Sequence, residues 1–540
     1  MEFSVAEIHE AIAAARPDAL CLVFREHRLT WAEVTERTRR LANYLIGAGL
    51  GVHVERPRLA GHESGQDHLG IYLHNGNEYL ESMLGAFKAR VAPFNVNYRY
   101  VAEEMRYLLH DSNAAAIVVH SQFAPTLQEV LDDLPNLRVI VQVADRSGNE
   151  LLPGAVWYED ALASASPEKP QVEWSPDDLY ILYTGGTTGM PKGVLWRNGD
   201  ANVGCFGGSA AATIEEVVAA AADGGLKAVP TAPFMHGAGH WTSFYIWNMG
   251  GTVFVQSIPE RLDPADIWSL IQREQLNFLQ IVGDAFARPL LDDLCSSSYE
   301  LHSLNVLVTG GAALSAGLKD MFLEHLPALI IVDSLGSSES GGQLAHVSAG
   351  SGSTTGTFAI SPGNHVLSAD LDRQLQPGED ELGWLAKSGR LALGYLGDAA
   401  KTERTYPVID GVRYAVPGDR ARLRIDGVVE LHGRDAATIN SGGEKIFAEE
   451  VESAIKAHPG VYDCVVAGRP SERWGNEVVA VVRMRNGSPA DEASLLAEAE
   501  RHIARYKLPK AFVFVPEVVR SPSGKADYRW AKRIASAPPS

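Results

Sequence analysis

The chain has 540 residues, 46% of them hydrophobic and 21% charged, an ordinary globular composition with room for three or four units of roughly 100–200 residues. Acidic residues outnumber basic ones 67 to 47, a formal charge of −20, which excludes a broad nucleic-acid surface but not a local anion site built from backbone N–H groups. Cys21, Cys205, Cys295 and Cys464 lie far apart with no C-x-x-C spacing, which argues against a disulfide framework or a zinc cluster and fits a reducing, cytoplasmic compartment.

In chain order, the opening MEFSVAEIHEAIAAARPD is amphipathic and interrupted by charge, unlike a signal peptide. No stretch reaches the ~20 apolar residues of a membrane helix. Arg56–His68 reads as a polar surface loop. Gly70-Ile-Tyr-Leu is a buried strand, followed by a helix over Asn77–Lys88; Val101–Leu109 is helical and Ala116-Ile-Val-Val is a second strand. Ala210–Gly225, dominated by Ala, reads either as a close-packed helix or as a thin wall beside a bulky ligand. Asn305-Val-Leu-Val and Leu329-Ile-Ile-Val are strands flanking a helix at Leu318–His325. This alternation predicts α/β architecture with largely parallel sheets.

After about residue 380 the strands shorten: Leu382–Ala386, Arg413–Ala415, Arg420–Arg424 and Val428–Leu431 are punctuated by Gly, Asp and Pro and predict a barrel-like region. Beyond 433–437 the pattern predicts a small α+β domain, with helices Glu449–Ala457 and Glu492–Ile503 and strands Asp463–Ala467, Val478–Arg483 and Ala511–Phe514.

The strongest chemical signal is Tyr183-Thr-Gly-Gly-Thr-Thr-Gly-Met-Pro-Lys-Gly-Val194, directly after the apolar run Leu179-Tyr-Ile-Leu. Thr184, Gly185, Gly186, Thr187, Thr188 and Gly189 can turn N–H groups and hydroxyls inward around polyphosphate, and Lys192 adds a cation. A G-x-x-x-x-G-K-[ST] loop is ruled out at residue level, because Lys192 precedes Gly193 and Val194 follows it.

This stretch resembles the phosphate loop of the adenylate-forming superfamily, which includes acyl-CoA synthetases, peptide-synthetase adenylation domains and beetle luciferases. The resemblance continues in order along nearly the whole chain. It implies a large domain over 1–433, a hinge at 434–437 and a small mobile domain over 438–540. Pro233-Phe-Met-His236-Gly237 resembles the segment gating the acyl pocket. Phe206, Gly207, Gly283 and Gly310 are expected around that pocket, and the small side chains near it imply room for a bulky apolar group. Val308-Thr-Gly-Gly-Ala312 resembles the turn along nucleotide and acyl chain, with Gly311 and Ala312 on the nucleotide. Asp333-Ser334-Leu335-Gly336-Ser-Ser338-Glu339 resembles the aromatic-Gly-x-Thr-Glu motif. It implies Ser338 on the α-phosphate and Glu339, with Thr188, on Mg2+. Ser stands for Thr, and Leu335 stands where the family has an aromatic against adenine.

Asp419 resembles the carboxylate that accepts the ribose hydroxyls, and Arg434 the guanidinium beside it. Ala436 falls on the usual charged hinge position. Ser441, Gly442, Gly443, Glu444 and Lys445 resemble the pantetheine-tunnel loop, and Trp474 the residue packing on the thiol arm. Ser521-Pro-Ser-Gly-Lys525 resembles the terminal loop whose lysine bridges carboxylate and α-phosphate. The implied catalytic set is Lys525, Lys192, Glu339 and His236. ATP and a carboxylic acid are the substrates, coenzyme A the acceptor and Mg2+ the metal; nucleic acid and integral membrane contact are not expected, and a homodimer is compatible.

Asn95-Val-Asn-Tyr-Arg-Tyr100, Ile439-Asn-Ser-Gly-Gly-Glu-Lys and Arg520–Trp530 further resemble actinobacterial ligases for steroid side-chain acids. Phe234–Gly251 has no Asp or Glu, against an amino-acid substrate. The implied function is an AMP-forming acyl-CoA synthetase for a bulky apolar acid, polycyclic or long-chain. Two other readings stay open: a specialised ligase running one half-reaction, such as thioesterification of a preformed acyl-adenylate, and a non-catalytic acyl- or nucleotide-binding relative. Luciferase-type oxidation is open on fold alone, with no residue here specifying oxygen chemistry.

Overall fold

Four sheets organise the chain in the computed structural model, which describes residues 2–184, 190–434, 437–441, 444–471 and 475–537. The first sheet carries strands Leu20–Phe24, Lys227–Pro230, Thr252–Val255, Phe278–Ile281, Val306–Gly310 and Ile330–Ser337 in parallel, with antiparallel strands at both edges. The second has a parallel centre of His68–Tyr72, Ala92–Asn95, Ala114–His120 and Val139–Val143, and Leu179–Thr184 joins it in parallel beside Ala92–Asn95. These central strands are near-continuous apolar runs because helices cover both faces; Ala116, Ile117, Val118 and Val119 are each 0% exposed. This meets the expectation of an α/β protein with parallel-rich sheets.

A third, antiparallel sheet occupies residues 357–434, where the short punctuated strands were expected. The fourth combines Thr438–Ser441, Glu444–Phe447, Val461–Ser471 and Gly475–Met484 with Ala511–Phe514, which adds in parallel. Helices Ala448–Lys456 and Tyr528–Ala535 pack on it.

Several elements differ from their prediction. The helix expected over Glu492–Ile503 ends at Ala499, and the chain turns so that Ile503 still buries to 8% exposure. Ala210–Gly225 is not a close-packed helix. Only Ile214–Ala220 is helical, and within it Val217 alone is buried, since two adjacent glutamates and two terminal alanines leave that short helix little apolar face. The terminal helix Tyr528–Ala535 was not foreseen; Asp527 caps it by accepting from the Trp530 N–H at 2.9 Å. The Arg56–His68 stretch is a loop with one short turn of 3-10 helix at Arg56–Arg58, but its end is not surface: Asp67 and His68 are buried, and His68 opens the strand His68–Tyr72. Among the described residues no helix is long and apolar enough to cross a membrane.

Candidate active site

The threonine- and glycine-rich segment is the connection of a hairpin. Strands Leu179–Thr184 and Lys192–Arg197 run antiparallel with Thr184 opposite Lys192, so the loop projects from the carboxyl end of the sheet. Gly185, Gly186, Thr187, Thr188 and Gly189 lie outside the described residues. The base of the hairpin is tied down by groups from elsewhere. Asp111 accepts from the Tyr183 hydroxyl at 2.9 Å and the Tyr107 hydroxyl at 3.1 Å, and lies 3.5 Å from Lys192 Nζ. Asp398 is 4.0 Å from the same ammonium. Burial opposes the charge on Lys192, but Asp111, Tyr107 and Asp398 outweigh it and raise its pKa. Asn95, buried, accepts from the Tyr183 N–H at 2.7 Å and donates to the carbonyls of Tyr183 and Met235 at 2.9 and 2.7 Å. One carboxamide thereby fixes the phosphate hairpin against the His236 segment.

Glu339 sits at the tip of a second hairpin, between Ile330–Ser337 and Gly341–Ser348. The Tyr395 hydroxyl donates to its Oε1 at 2.7 Å. Tyr395 belongs to the short strand Gly394–Tyr395, which pairs with Val194 and Leu195 of the phosphate hairpin, so one residue links the two loops. Leu335 is partly buried against the cluster of Leu344 and Phe358. Asp333 does not face an open site. Its carboxylate is taken by the fully buried ammonium of Lys319, and burial, opposed by that ammonium, raises its pKa. Ser334 is exposed, Gly336 abuts Gly341 across the hairpin, and Ser338 is partly buried.

Asp419, 5% exposed, opens strand Asp419–Leu423 directly opposite Arg434 on Val428–Arg434, so the two residues expected at one ribose share one register position. Gly310 ends strand Val306–Gly310 opposite Ser334. Gly311 has φ +83°, and a Cβ there would lie 3.8 Å from Lys525 Cε. Ala312 borders Gly283, whose φ is +52° and whose added Cβ would fall 2.5 Å from the Ala313 carbonyl oxygen. That position therefore needs glycine for both conformation and space.

Lys525 lies on a loop braced from below. Arg520 donates to both oxygens of Asp463 at 2.7 Å and to the Gly524 carbonyl at 3.2 Å, and the Ser521 hydroxyl accepts from the Lys525 N–H. Gly524 packs against Val282 and Phe286, at the start of helix Gly283–Ser296. Lys456 Nζ donates to Asp284 on the same helix at 3.0 Å, both side chains being largely buried. The fourth sheet thus docks with its lysine loop at the carboxyl end of the first.

The expected acyl wall is filled differently from its sequence reading. His236 precedes helix Gly237–Asn248, and its Nε2 is buried without a hydrogen-bond partner among the described residues. Burial first, then the charges of Lys525, His240 and Arg99, push its pKa down to about 3. A Cβ on Gly237 would lie 3.0 Å from the Trp241 ring, and one on Gly207 would lie 2.5 Å from the Tyr245 ring. These glycines accommodate the protein's own aromatics rather than leaving open volume. Phe206 is 0% exposed and stacks on Phe244 at 4.7 Å, inside the core rather than on a wall. Trp241 is held by a relay: it donates to the Tyr180 hydroxyl at 2.9 Å, and that hydroxyl donates to His240 Nε2. His240 Nδ1 in turn donates to the Phe234 carbonyl at 2.6 Å, which fixes its tautomer.

Ser441 is buried and pairs with Gly475 across the fourth sheet. Gly442, Gly443 and Trp474, the side chains of Arg434, Glu444 and Lys445, and the hinge residues Asp435 and Ala436 lie outside the described residues.

The AMP-binding enzyme family profile matches residues 9–396, and the AMP-binding enzyme C-terminal domain matches residues 450–525. The chain is an AMP-binding enzyme. It is 53% identical over 540 residues to the medium-chain acyl-CoA ligase Mig of Mycobacterium avium, covering 99% of this chain and 98% of that one. It is 39% identical over 553 residues to a medium/long-chain-fatty-acid–CoA/3-oxocholest-4-en-26-oate–CoA ligase of Mycolicibacterium smegmatis, covering 100% and 98%. Its fold matches that of the anthranilate CoA ligase AuaEII at TM-score 0.81 and 20% identity, covering 99% and 98%.

In this AMP-binding enzyme the structure adds Asp111, Tyr107, Asn95 and Tyr395 to the residues expected from sequence. Asn95 lies in the motif Asn95-Val-Asn-Tyr-Arg-Tyr100, whose pattern assigns it no task, and the others carry no sequence signal. Tyr107 and Asp111 sit on helix Ala102–Asp111, whose sequence shows only ordinary amphipathic spacing.

Proposed function

We propose that this AMP-forming acid–thiol ligase joins a bulky apolar carboxylic acid, polycyclic or long-chain, to coenzyme A through an acyl-adenylate. The observation that carries the mechanism is the Lys525 loop lodged at Gly311, where a late cation comes close enough to the His236 imidazole to lower its pKa. In the first step a carboxylate oxygen attacks the α-phosphorus and pyrophosphate leaves. Two anions must meet, so Lys525 bridges carboxylate and α-phosphate, Lys192 and the Thr184–Gly189 loop hold the leaving phosphates, and Ser338 donates to the α-phosphate. Asp419 and Arg434 hold the ribose, and Gly311, Ala312, Ser334 and Gly336 line the nucleotide.

Among the described residues no group of three or more His, Cys, Asp or Glu side chains could cage a metal. A lone carboxylate fits Mg2+, which takes the rest of its oxygen shell from phosphate and water. Glu339 and the Thr188 hydroxyl would hold it, and the ion would supply charge neutralisation at the β- and γ-phosphates. In the second step the thiol sulfur attacks the acyl carbonyl and AMP leaves. Ser441–Lys445 and Trp474 serve the pantetheine arm after residues 438–540 rotate about a hinge at 434–437. His236, Gly283 and Gly310 belong to the acyl side, and Phe206, Gly207 and Gly237 back it through the packing of Phe244, Tyr245 and Trp241.

Support for the acid class comes from relatives acting on medium- and long-chain fatty acids and a steroid side-chain acid. Leu335, turned into the cluster of Leu344 and Phe358, gives adenine no ring to stack on and favours a second reading in which only thioesterification runs well. Incubation with ATP, Mg2+ and CoA against fatty, aryl, steroid and diterpenoid acids, scoring pyrophosphate and thioester separately, tests both; pyrophosphate release with no acid of the panel sinks the adenylation step. The reading includes a cytoplasmic location, which suits four free cysteines, and a homodimer, which sedimentation velocity tests.

A further inference from the structure

A carboxylate at the tip of a hairpin is only as well aimed as the backbone beneath it. At Ser338-Glu339-Ser340 the three successive carbonyl oxygens are each held by a different part of the chain. Trp196 Nε1 donates to the Ser338 carbonyl at 2.8 Å, the Tyr406 hydroxyl to the Glu339 carbonyl at 3.3 Å, and Lys387 Nζ to the Ser340 carbonyl at 2.9 Å. Lys387 also donates to the Gly342 carbonyl, on the returning strand. The N–H groups of Glu339 and Ser340 are held from inside, both donating to the Ser337 hydroxyl, at 3.2 and 3.1 Å.

Ser338 and Glu339 are partly exposed and could leave their carbonyls to water, while Ser340 is 0% exposed and its carbonyl needs a protein donor, so the turn carries more side-chain donors than a connection requires. Lys387 is the least expected of them. Burial pulls its pKa below the usual lysine range, and among the described residues no carboxylate pairs with it. An ammonium partly withdrawn from water, facing two peptide carbonyls and the Cys205 thiol, is a costly way to hold a turn that serves packing alone. Its two carbonyl partners lie two residues apart, at the end of the turn and the start of the returning strand, where Gly342 faces Gly336 beside the bulge.

We propose that Lys387 is a positioning residue for Glu339: with Trp196 and Tyr406 it locks the turn before nucleotide arrives, so that the carboxylate meets the divalent cation of the incoming nucleotide without first being ordered. This rests on the reading of Glu339 as the metal-holding carboxylate. Replacing water by fixed donors lowers the reorganisation required at binding, and the effect appears in metal affinity rather than in saturated turnover.

The test compares Lys387→Met, Lys387→Arg, Tyr406→Phe and Glu339→Gln with the parent enzyme. Two readouts need no turnover: hydrogen exchange of the amides at 339–342 in the ligand-free protein, and Mn2+ binding to the enzyme–ATP complex by electron paramagnetic resonance. Lys387→Met should speed exchange at 339–342 and weaken Mn2+ binding by about tenfold, the scale of one charge-assisted hydrogen bond. It should raise the Mg2+ midpoint of ATP–pyrophosphate exchange similarly, recover rate at saturating metal, and leave thioesterification of supplied acyl-adenylate unchanged. Lys387→Arg, which can still reach two carbonyls, should restore most of the affinity. Tyr406→Phe, which removes a single bond, should move both readouts in the same direction by less, and serves if Lys387→Met does not fold. If Glu339→Gln weakens Mn2+ binding while Lys387→Met and Tyr406→Phe leave it and the exchange rates unmoved, the clamp is wrong. If Glu339→Gln itself leaves Mn2+ binding intact, the assignment of Glu339 fails, and the clamp with it.

Discussion

His236, His240 and His120 are histidines that resist protonation. Burial is the first cause for each: the pKa of His236 falls to about 3, and those of His240 and His120 to about 4. In the unfolded chain they titrate near 6.5, so between pH 6.5 and about 4 the unfolded state binds more protons. Their contribution is complete above pH 6.5 and is lost as pH falls through that window. Thermal melts should therefore drop steeply between pH 6.5 and 4, and His120→Gln, away from the reacting groups, should flatten the slope. The same low value keeps His236 neutral throughout the working range, so its ionisation should leave no limb in the activity profile above pH 5. Lys525→Ala removes the cation that the fourth sheet brings to Gly311. Pyrophosphate exchange should fall by roughly 10²–10³-fold, with thioesterification of supplied acyl-adenylate nearly intact. Equal loss in both assays would contradict the division of labour.

At this scale the sequence exposed residues whose type and local company are unusual, such as Lys192, Glu339 and Lys525. It hid those whose task is to meet a partner far along the chain. Asp111 and Tyr183 are separated by two α-helices, three strands and a long loop, and no local spacing announces their bond. Glycines misled for a related reason: Gly207 and Gly237 look like open space in a string of letters, while the direction of the missing Cβ shows Tyr245 and Trp241 already there.

Among elements, the phosphate hairpin is the one whose packing is most tightly coupled to chemistry. A Cβ on Gly193 would lie 2.9 Å from the Tyr183 ring and 3.0 Å from Ile181 Cγ2. Gly193→Ala should displace Tyr183, whose hydroxyl bonds Asp111, and so loosen the carboxylate beside Lys192. The expected cost is about 1–3 kcal/mol in stability, the usual range for overpacking, with a raised KM for ATP and an unchanged KM for CoA. A melting curve and initial rates check it; a normal ATP KM would uncouple Tyr183 from the loop. Elements were legible where pattern and burial agree, as in the apolar strands of the first two sheets and helix Asn77–Lys88, recovered to its ends. They were not where an element is short or lies on the surface. The terminal helix fully buries only Ala531 and Ala535, with Tyr528, Trp530 and Ile534 partly buried between three basic residues, so its short apolar pattern is hard to read from sequence.

Across the whole molecule, residues of the fourth sheet grip the first through Lys456 and Asp284, with Arg485 lying 3.7 Å from Asp292 alongside. Burial opposes both charges of the first pair. Each partner outweighs it, keeping Asp284 acidic and Lys456 basic, so the bridge is ionised at working pH. Removing one side of such a buried pair costs about 3–5 kcal/mol in the arrangement that contains it. Asp284→Asn should accordingly bias the enzyme away from the state with Lys525 at Gly311. Pyrophosphate exchange should fall at least about tenfold, while thioesterification holds or rises. Parallel loss of both activities with an unchanged melt would show that the bridge does not discriminate between states.

Strand Gly394–Tyr395 has a consequence for how the protein is made. It seals the outer edge of Lys192–Arg197, yet it leaves the ribosome about two hundred residues later. At roughly 5–20 residues per second the bare strand waits on the order of 10–40 seconds during synthesis, with its backbone unpaired along one side. A nascent chain stalled short of residue 394 should cling to chaperones and precipitate when released, whereas one extended past Tyr406 should not.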